Sequence, residues 1–230
     1  MLSPVIFLPG LLCDATLWRG QVEDLADLVA PFVADLTLDD SIAAMAARTL
    51  AAAPPRFSLC GLSMGGYVAF EIMRQAPERV ERLALFSTSA APDDDSRSSE
   101  RQRGMASLRH GRFVGVTSRL LSQLVHPSRI DSPEGEQVQA MAKRVGSAAF
   151  LRQQQAIMTR ADSRPSLSAI HVPTMVVVGD SDVLTPPKAS RTIHEGVAGS
   201  SLHILEACGH LPAMELRAQT SALLRDWLAS

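Results

Sequence analysis

The residues whose types and order suit chemistry are a serine between glycines, two closely spaced aspartates and a late histidine. Gly61-Leu62-Ser63-Met64-Gly65 fits the pattern G-x-S-x-G. A serine hydroxyl is a poor nucleophile until a base takes its proton, so Ser63 needs a histidine. His210 lies in Cys208-Gly209-His210-Leu211-Pro212, after the last apolar run and before the last helical pattern. His110, His126, His171, His194 and His203 lack this setting, and none forms a zinc spacing such as H-E-x-x-H. An imidazole base needs an acid that fixes its tautomer. Two candidates stand in Gly179-Asp180-Ser181-Asp182, and the residues alone leave the choice open, because Asp180 is equally suited to cap the loop. Attack on a carbonyl also needs donors for the developing oxyanion. The N–H of Met64 is one, and the loop Pro9-Gly10-Leu11-Leu12 offers the other, for which we choose the Leu11 N–H. Each motif alone has a plain reading as a glycine-rich turn or a solvated loop histidine; their joint order favours a nucleophile–acid–base set.

The surrounding pattern supplies the elements to hold them. Val5 to Leu8, a weaker run from Ala30 to Leu36, Phe57 to Cys60, Val80 to Ser87, Thr174 to Val178 and Leu202 to Leu205 read as short buried strands. Helical patterns separate them, over Ser41 to Ala53, about Gly65 to Gln75, and Leu216 to Leu228. Thr185-Pro186 reads as an N-cap with proline at the first helical position, opening a helix to about Glu195. Alternation of this kind predicts a mainly parallel sheet flanked by helices, hence an α/β fold. Ser63 then sits where a strand turns sharply into a helix. The stretch from Thr88 to Val172 shows no convincing strand and reads as helices, broken at His126-Pro127. The predicted division is a core of residues 1–87 and 174–230 with a helical insertion over 88–173.

The totals exclude several classes. With 230 residues and a net charge of −2, the chain suits one domain with an insertion and gives no electrostatic reason to expect nucleic acid. No apolar stretch approaches the ~20 residues of a membrane span. The start lacks the positive region of a signal peptide, and Cys13, Cys60 and Cys208 are odd in number and far apart. A reduced, cytoplasmic protein is the expectation. The sequence leaves the oligomeric state open.

Nearly the whole chain resembles the α/β-hydrolase superfamily, in its lid-bearing small serine esterase branch. Leu8-Pro9-Gly10-Leu11 with Trp18 resembles the oxyanion loop and its trailing tryptophan, and Gly61 to Gly65 the nucleophile elbow. Val172-Pro173-Thr174 through Asp182 is similar to the acid-bearing segment, and Gly209-His210-Leu211-Pro212 with Glu215 to the histidine segment. In that pattern the acid stands three after the glycine, which selects Asp182. Where many relatives have His-Gly, this chain has Pro9-Gly10, which keeps the backbone donor and loses the histidine's hydrogen bonds. The resemblance implies a sheet of about six strands, a helical lid inserted before the acid-bearing strand, and hydrolysis of small or medium acyl esters through an acyl enzyme. It argues against haloalkane dehalogenase and epoxide hydrolase chemistry, which place a carboxylate where Ser63 stands, and it implies no metal or organic cofactor. Other readings are a lactonase, an acyl-carrier methyl esterase, a polyester-cleaving esterase, a C–C bond hydrolase, or a ligand-binding signalling protein with a retained triad.

Trp18, Phe113, Leu121, Leu124, Leu184 and Leu211 are the candidate pocket residues. Between Thr88 and Pro173 there are twelve Lys and Arg against eight Asp and Glu, a surplus of +4. Such a surplus suits an anionic substrate or an acidic carrier protein; solvated helix faces are the plainer account, and we prefer it.

Overall fold

The computed structural model describes residues 2–110 and 113–229, leaving Met1, Gly111, Arg112 and Ser230 outside, together with the side chains of Ser107, Arg109 and His110. In chain order the elements are β1 (Ser3–Leu8), α1 (Arg19–Asp24), β2 (Val29–Val33), α2 (Ile42–Ala52), β3 (Phe57–Leu62), α3 (Met64–Gln75) and β4 (Val80–Phe86). There follow α4 (Asp95–His110), α5 (Ser118–Leu124), α6 (Pro133–Met158), β5 (Thr174–Gly179), α7 (Pro187–Gly196), β6 (Ser201–Leu205), α8 (Pro212–Glu215) and α9 (Arg217–Ala229). Short apolar runs became strands because both faces of the sheet are covered: β3 and β5 are buried at every position. The Ser41 hydroxyl accepts the Ala44 N–H and starts α2, and the chain leaves that helix before Pro54-Pro55, as proline requires.

The six strands form one parallel sheet in the order β2-β1-β3-β4-β5-β6. One apolar layer, with Trp18, Met214, Leu224 and Trp227, covers one face. A second, with Met45, Tyr67, Val68, Phe70 and Ile193, covers the other. From β1 the chain steps outward to β2, then back past β1 to β3. The carboxyl ends of β1 and β3 therefore flank the point where strand order reverses, the place where open α/β sheets form a crevice.

Between β4 and β5 the described residues contain helices and turns and no strand. The longest helix there, α6, is broken at Gly146, whose φ of 77° lies in the left-handed region. Its first turn is capped by Ser132, with Pro133 leading and Glu134 and Glu136 suiting the positive helix end. The far end of the insertion belongs to the core: Ala156, Ile157, Leu167 and Ile170 pack in the same layer as α2 and α3.

One local expectation is corrected. Thr185 does not cap α7: Pro186 holds the cap position and Pro187 is the first helical residue. The Thr185 hydroxyl is turned inward, for a reason the site supplies.

Candidate active site

Ser63 joins β3 to α3 with φ 55° and ψ −114°, a backbone conformation a side-chain-bearing residue adopts only when its surroundings hold it there. They do so on both sides: the Ser63 N–H donates to the Phe86 carbonyl at 2.9 Å, and the Thr88 hydroxyl donates to the Ser63 carbonyl at 2.8 Å. The flanking glycines are steric requirements. A Cβ on Gly65 would run into the carbonyls of Leu8 and Pro9, and one on Gly61 would lie 2.5 Å from the Gly65 carbonyl oxygen.

His210 Nε2 lies 2.9 Å from Ser63 Oγ. Its Nδ1 lies 2.9 Å from Asp182 Oδ2 and 3.0 Å from Oδ1. Asp182 and His210 are each only 3% exposed. Asp182 also accepts the N–H groups of Leu184 and Thr185 at Oδ1, both at 2.9 Å, and the Thr185 hydroxyl at Oδ2, at 2.8 Å. Burial pushes this carboxyl up, but His210 and the hydrogen bonds from His210 and Thr185 outweigh it, and the net displacement is downward. Asp182 is thus held ionised where it can orient an imidazole. Asp180 faces elsewhere, accepting the N–H groups of Ala207 and Cys208 at 3.2 and 3.3 Å. It ties down the loop that carries His210.

Residues singled out with no role, or not at all, complete the support. Glu215, 6% exposed, accepts the N–H groups of Gly209 and Leu211 on either side of His210, and that of His126 at 2.7 Å. The His210 N–H itself donates to the Leu124 carbonyl at 2.9 Å. The histidine loop is therefore fastened to the end of α5. The family resemblance offered a hint for Glu215, which trails the histidine; it offered none for the Thr185 bridge.

Met64 opens α3, so its N–H has no acceptor within the helix. In the loop after β1, the Cys13 N–H donates to the Gly10 carbonyl at 3.1 Å and the Leu12 N–H to Gln153 Oε1 at 3.0 Å. Leu11 lines the cavity beside Ser63.

That cavity measures about 410 Å³. Leu11, Val116, Leu120, Leu124, Val138, Phe150, Leu184 and Leu211 give it apolar walls, and Tyr67, Arg97, Glu100, Arg101, Gln123 and Gln154 add polar groups. Of the candidate pocket residues, Leu124, Leu184 and Leu211 line it, and three do not. Trp18 is fully buried in the core, its ring 5.2 Å from Phe7 and 5.4 Å from Phe86, its indole N–H on the Leu8 carbonyl. Phe113 packs against Phe150 at 5.9 Å and so backs a wall rather than forming one. Leu121 turns into the core because Leu120 and Leu124, four apart on α5, take the cavity side. Below the polar wall, Asp93 bridges Arg101 at 2.5 Å and Arg160 at 2.8 Å. Arg160 also lies over the Tyr67 ring at 4.3 Å. Among the described residues, no group of three or more His, Cys, Asp or Glu side chains is placed to hold a metal ion, and no helix is long and apolar enough to cross a membrane.

The family described as "Serine aminopeptidase, S33" matches residues 19–217. The chain belongs to this family. Its six-stranded parallel sheet and the likeness to solved structures make it an α/β-hydrolase, an enzyme of the serine hydrolase kind. A thermophilic esterase from Thermogutta terrifontis superposes with a TM-score of 0.88 at 26% identity, covering 99% of this chain and 89% of that one. Among curated proteins, a pimeloyl-[acyl-carrier protein] methyl ester esterase from Neisseria meningitidis serogroup A is 29% identical over 208 residues, covering 86% of this chain and 64% of that protein. One of the same name from Nitrosomonas europaea is 27% identical over 237 residues, covering 94% of this chain and 91% of its own length.

Proposed function

We propose that the chain hydrolyses carboxylic esters of small or medium acyl groups through an acyl enzyme on Ser63. His210 takes the serine proton and returns it to the leaving alcohol; Asp182 fixes the imidazole and stabilises its cation. The N–H groups of Leu11 and Met64 receive the oxyanion. Residues 88–173 form the helical lid insertion, whose α5 and α6 wall the acyl site while its far end packs into the core. The observation that carries this reading is the unbroken Ser63–His210–Asp182 relay, at 2.9 Å per step, opening into an apolar-walled cavity of about 410 Å³. Esters rather than peptides are the substrate class because the curated relatives and the structural neighbour above are named esterases, although the family description names a peptidase; both reactions share the acyl enzyme. Buried, unpaired Cys13, Cys60 and Cys208 support a reducing, cytoplasmic setting.

The relatives' names favour a narrower reading, in which the ester is a methyl ester and the acyl chain is held by an acidic carrier. The basic surplus of the insertion supports it less than its size suggests. Arg97, Arg101, Arg129, Arg144, Arg152, Arg160 and Arg164 each bond a carbonyl, amide oxygen or carboxylate of this same chain.

The test compares p-nitrophenyl esters of increasing acyl length with aminoacyl p-nitroanilides, alongside fluorophosphonate labelling. We expect turnover of the esters and labelling at Ser63, both absent in a folded Ser63→Ala variant. Retained turnover in Ser63→Ala overturns the mechanism, and a preference for the anilides overturns the substrate class. Carrier-bound and free methyl esters, compared at low and high salt, decide the narrower reading.

A further inference from the structure

The loop after β1 has a chemical gap. Its Leu11 N–H is the proposed oxyanion donor, yet the loop's own side-chain bond at Leu11 is the weak one from the Cys13 thiol to the Leu11 carbonyl, at 3.5 Å. Leu12 adopts φ 60°, a left-handed conformation that a branched apolar residue does not hold unaided. Something else must keep the turn in shape.

Gln153 does so from 141 residues away in sequence. It lies on α6 beyond the break at Gly146 and is wholly buried. Its Oε1 accepts the Leu12 N–H at 3.0 Å, and its Nε2 donates to the Leu36 carbonyl at 3.1 Å. Both partners are backbone groups with one possible role each, so the orientation of the amide is dictated. One glutamine thereby joins the oxyanion loop to the chain leaving β2. Next to it, Arg152 Nε donates to the Thr37 carbonyl at 2.8 Å, fastening the same end of α6 to the same segment. With Leu12 held by Gln153 and the Cys13 N–H closed onto Gly10, the loop presents Leu11 towards the space beside Ser63. The Gly10 Cα faces that space closely enough that an added Cβ would lie 3.6 Å from Ser63 Cβ.

We propose that Gln153 is the positioning residue of the oxyanion hole, holding the Leu11 N–H in place through its hydrogen bond to Leu12. This rests on the assignment of Leu11 above. It gives the helical insertion a direct share in transition-state stabilisation: a shift of α6 moves the loop. The contribution belongs to the transition state, because the ground-state carbonyl makes weaker demands on the donor than the oxyanion does.

The experiment uses Gln153→Met, which keeps the length and removes both hydrogen bonds, and Gln153→Glu, whose carboxyl, kept neutral by burial, retains an acceptor for the Leu12 N–H and an O–H donor for the Leu36 carbonyl. Removing an oxyanion donor outright costs ~10²–10³ in kcat, so misplacing one should cost about tenfold to a hundredfold. In Gln153→Met we expect that fall in kcat, with KM within about threefold. Affinity for a trifluoromethyl ketone, which forms a tetrahedral oxyanion on the serine, should weaken in parallel with kcat/KM. Gln153→Glu should stay within about fivefold of the parent. If Gln153→Met does not fold, Gln153→Ala, which leaves room for water at the Leu12 N–H, is read against the same expectations. A folded Gln153→Met or Gln153→Ala enzyme with kcat within twofold of the parent overturns the proposal. So does a loss carried by KM, or one that leaves the ketone affinity unchanged. Ser63→Ala, run beside them, separates the failures: an active Ser63→Ala sinks the mechanism itself, whereas an inactive one beside an unimpaired Gln153→Met sinks only the role of Gln153.

Discussion

Consider replacing Asp182 with asparagine. The two oxygens of Asp182 are not equivalent: Oδ1 accepts two backbone N–H groups, from Leu184 and Thr185, which take up its lone pairs although His210 Nδ1 also lies 3.0 Å away, while Oδ2 accepts the Thr185 hydroxyl at 2.8 Å and lies 2.9 Å from Nδ1. An asparagine must put its carbonyl at the Oδ1 position, because two amide donors point there. Its NH2 group then occupies the Oδ2 position and faces Nδ1. A donor at that place selects the tautomer with Nδ1 unprotonated and the proton on Nε2, aimed at Ser63. Such an imidazole cannot accept the serine proton. The fold should be little disturbed, since every backbone donor keeps its acceptor. We expect kcat to fall by on the order of 10³–10⁴, equivalent to about 4–5.5 kcal/mol of transition-state stabilisation. Asp180→Asn, which alters only the bonds to Ala207, Cys208 and Ser181, should cost less than about tenfold. The assay is steady-state hydrolysis of p-nitrophenyl butyrate, with circular dichroism to confirm folding. An Asp182→Asn enzyme within tenfold of the parent, or an Asp180→Asn enzyme losing more than it, would refute the assignment.

Glu215→Gln sets an NH2 group against the N–H groups that the carboxylate now accepts; we expect a loss of ~1–3 kcal/mol and a fall in Tm of roughly 2–12 °C, so an unchanged Tm contradicts the clamp. Phe150→Ala should move the preferred acyl length upward, since each further CH₂ buried is worth ~0.8 kcal/mol or about fourfold; Phe113→Ala, one layer back, should move it less, and identical chain-length profiles for all three enzymes count against this wall. The carboxyls of Asp182 and Asp93 are both held below their ordinary value, in each case against the upward push of burial. Their contribution to stability is complete above the unfolded carboxylate range near ~3.9 and is lost as the pH falls through the lower folded values. Thermal unfolding from pH 7 to pH 2.5 should show Tm dropping below about pH 4, and an equal Tm at pH 2.5 and pH 7 would deny both carboxylates that role.

What was legible in the sequence is what the backbone must obey locally. Gly61 and Gly65 mark the elbow because their missing side chains leave space for neighbouring chain. Thr174 to Val178 announces a buried strand because both faces of the sheet are covered. Asp182 was selected by resemblance; the residues alone left it level with Asp180, since two aspartates two apart at a strand end differ only in where the loop points them. The Trp18, Phe113 and Leu121 expectations failed for a related reason. An apolar side chain reads the same whether it faces a cavity or backs it, and Leu120 and Leu121 differ only by the rotation of one helical step.

The support of the site was least legible, and its distribution explains why. The chemistry sits at the strand-order reversal between β1 and β3, where loops from distant parts of the chain converge. Each loop is strained or open and must be held by a group from another element. Thr88 holds Ser63, Glu215 and Leu124 hold the His210 segment, and Gln153 holds Leu12. Thr88 and Gln153 are single polar residues whose meaning lies in a contact distant in sequence, and Leu124 acts only through its backbone carbonyl. A buried glutamine on a helix carries no periodic or motif signal that separates it from any other polar residue. The insertion between β4 and β5 therefore does more than roof the cavity, because the ends of α5 and α6 are fastened to the base and oxyanion loops. Substitutions in that insertion should accordingly separate into two kinds: those at Phe150 or Leu120 changing which acyl chains fit, and those at Gln153 changing how fast any of them reacts.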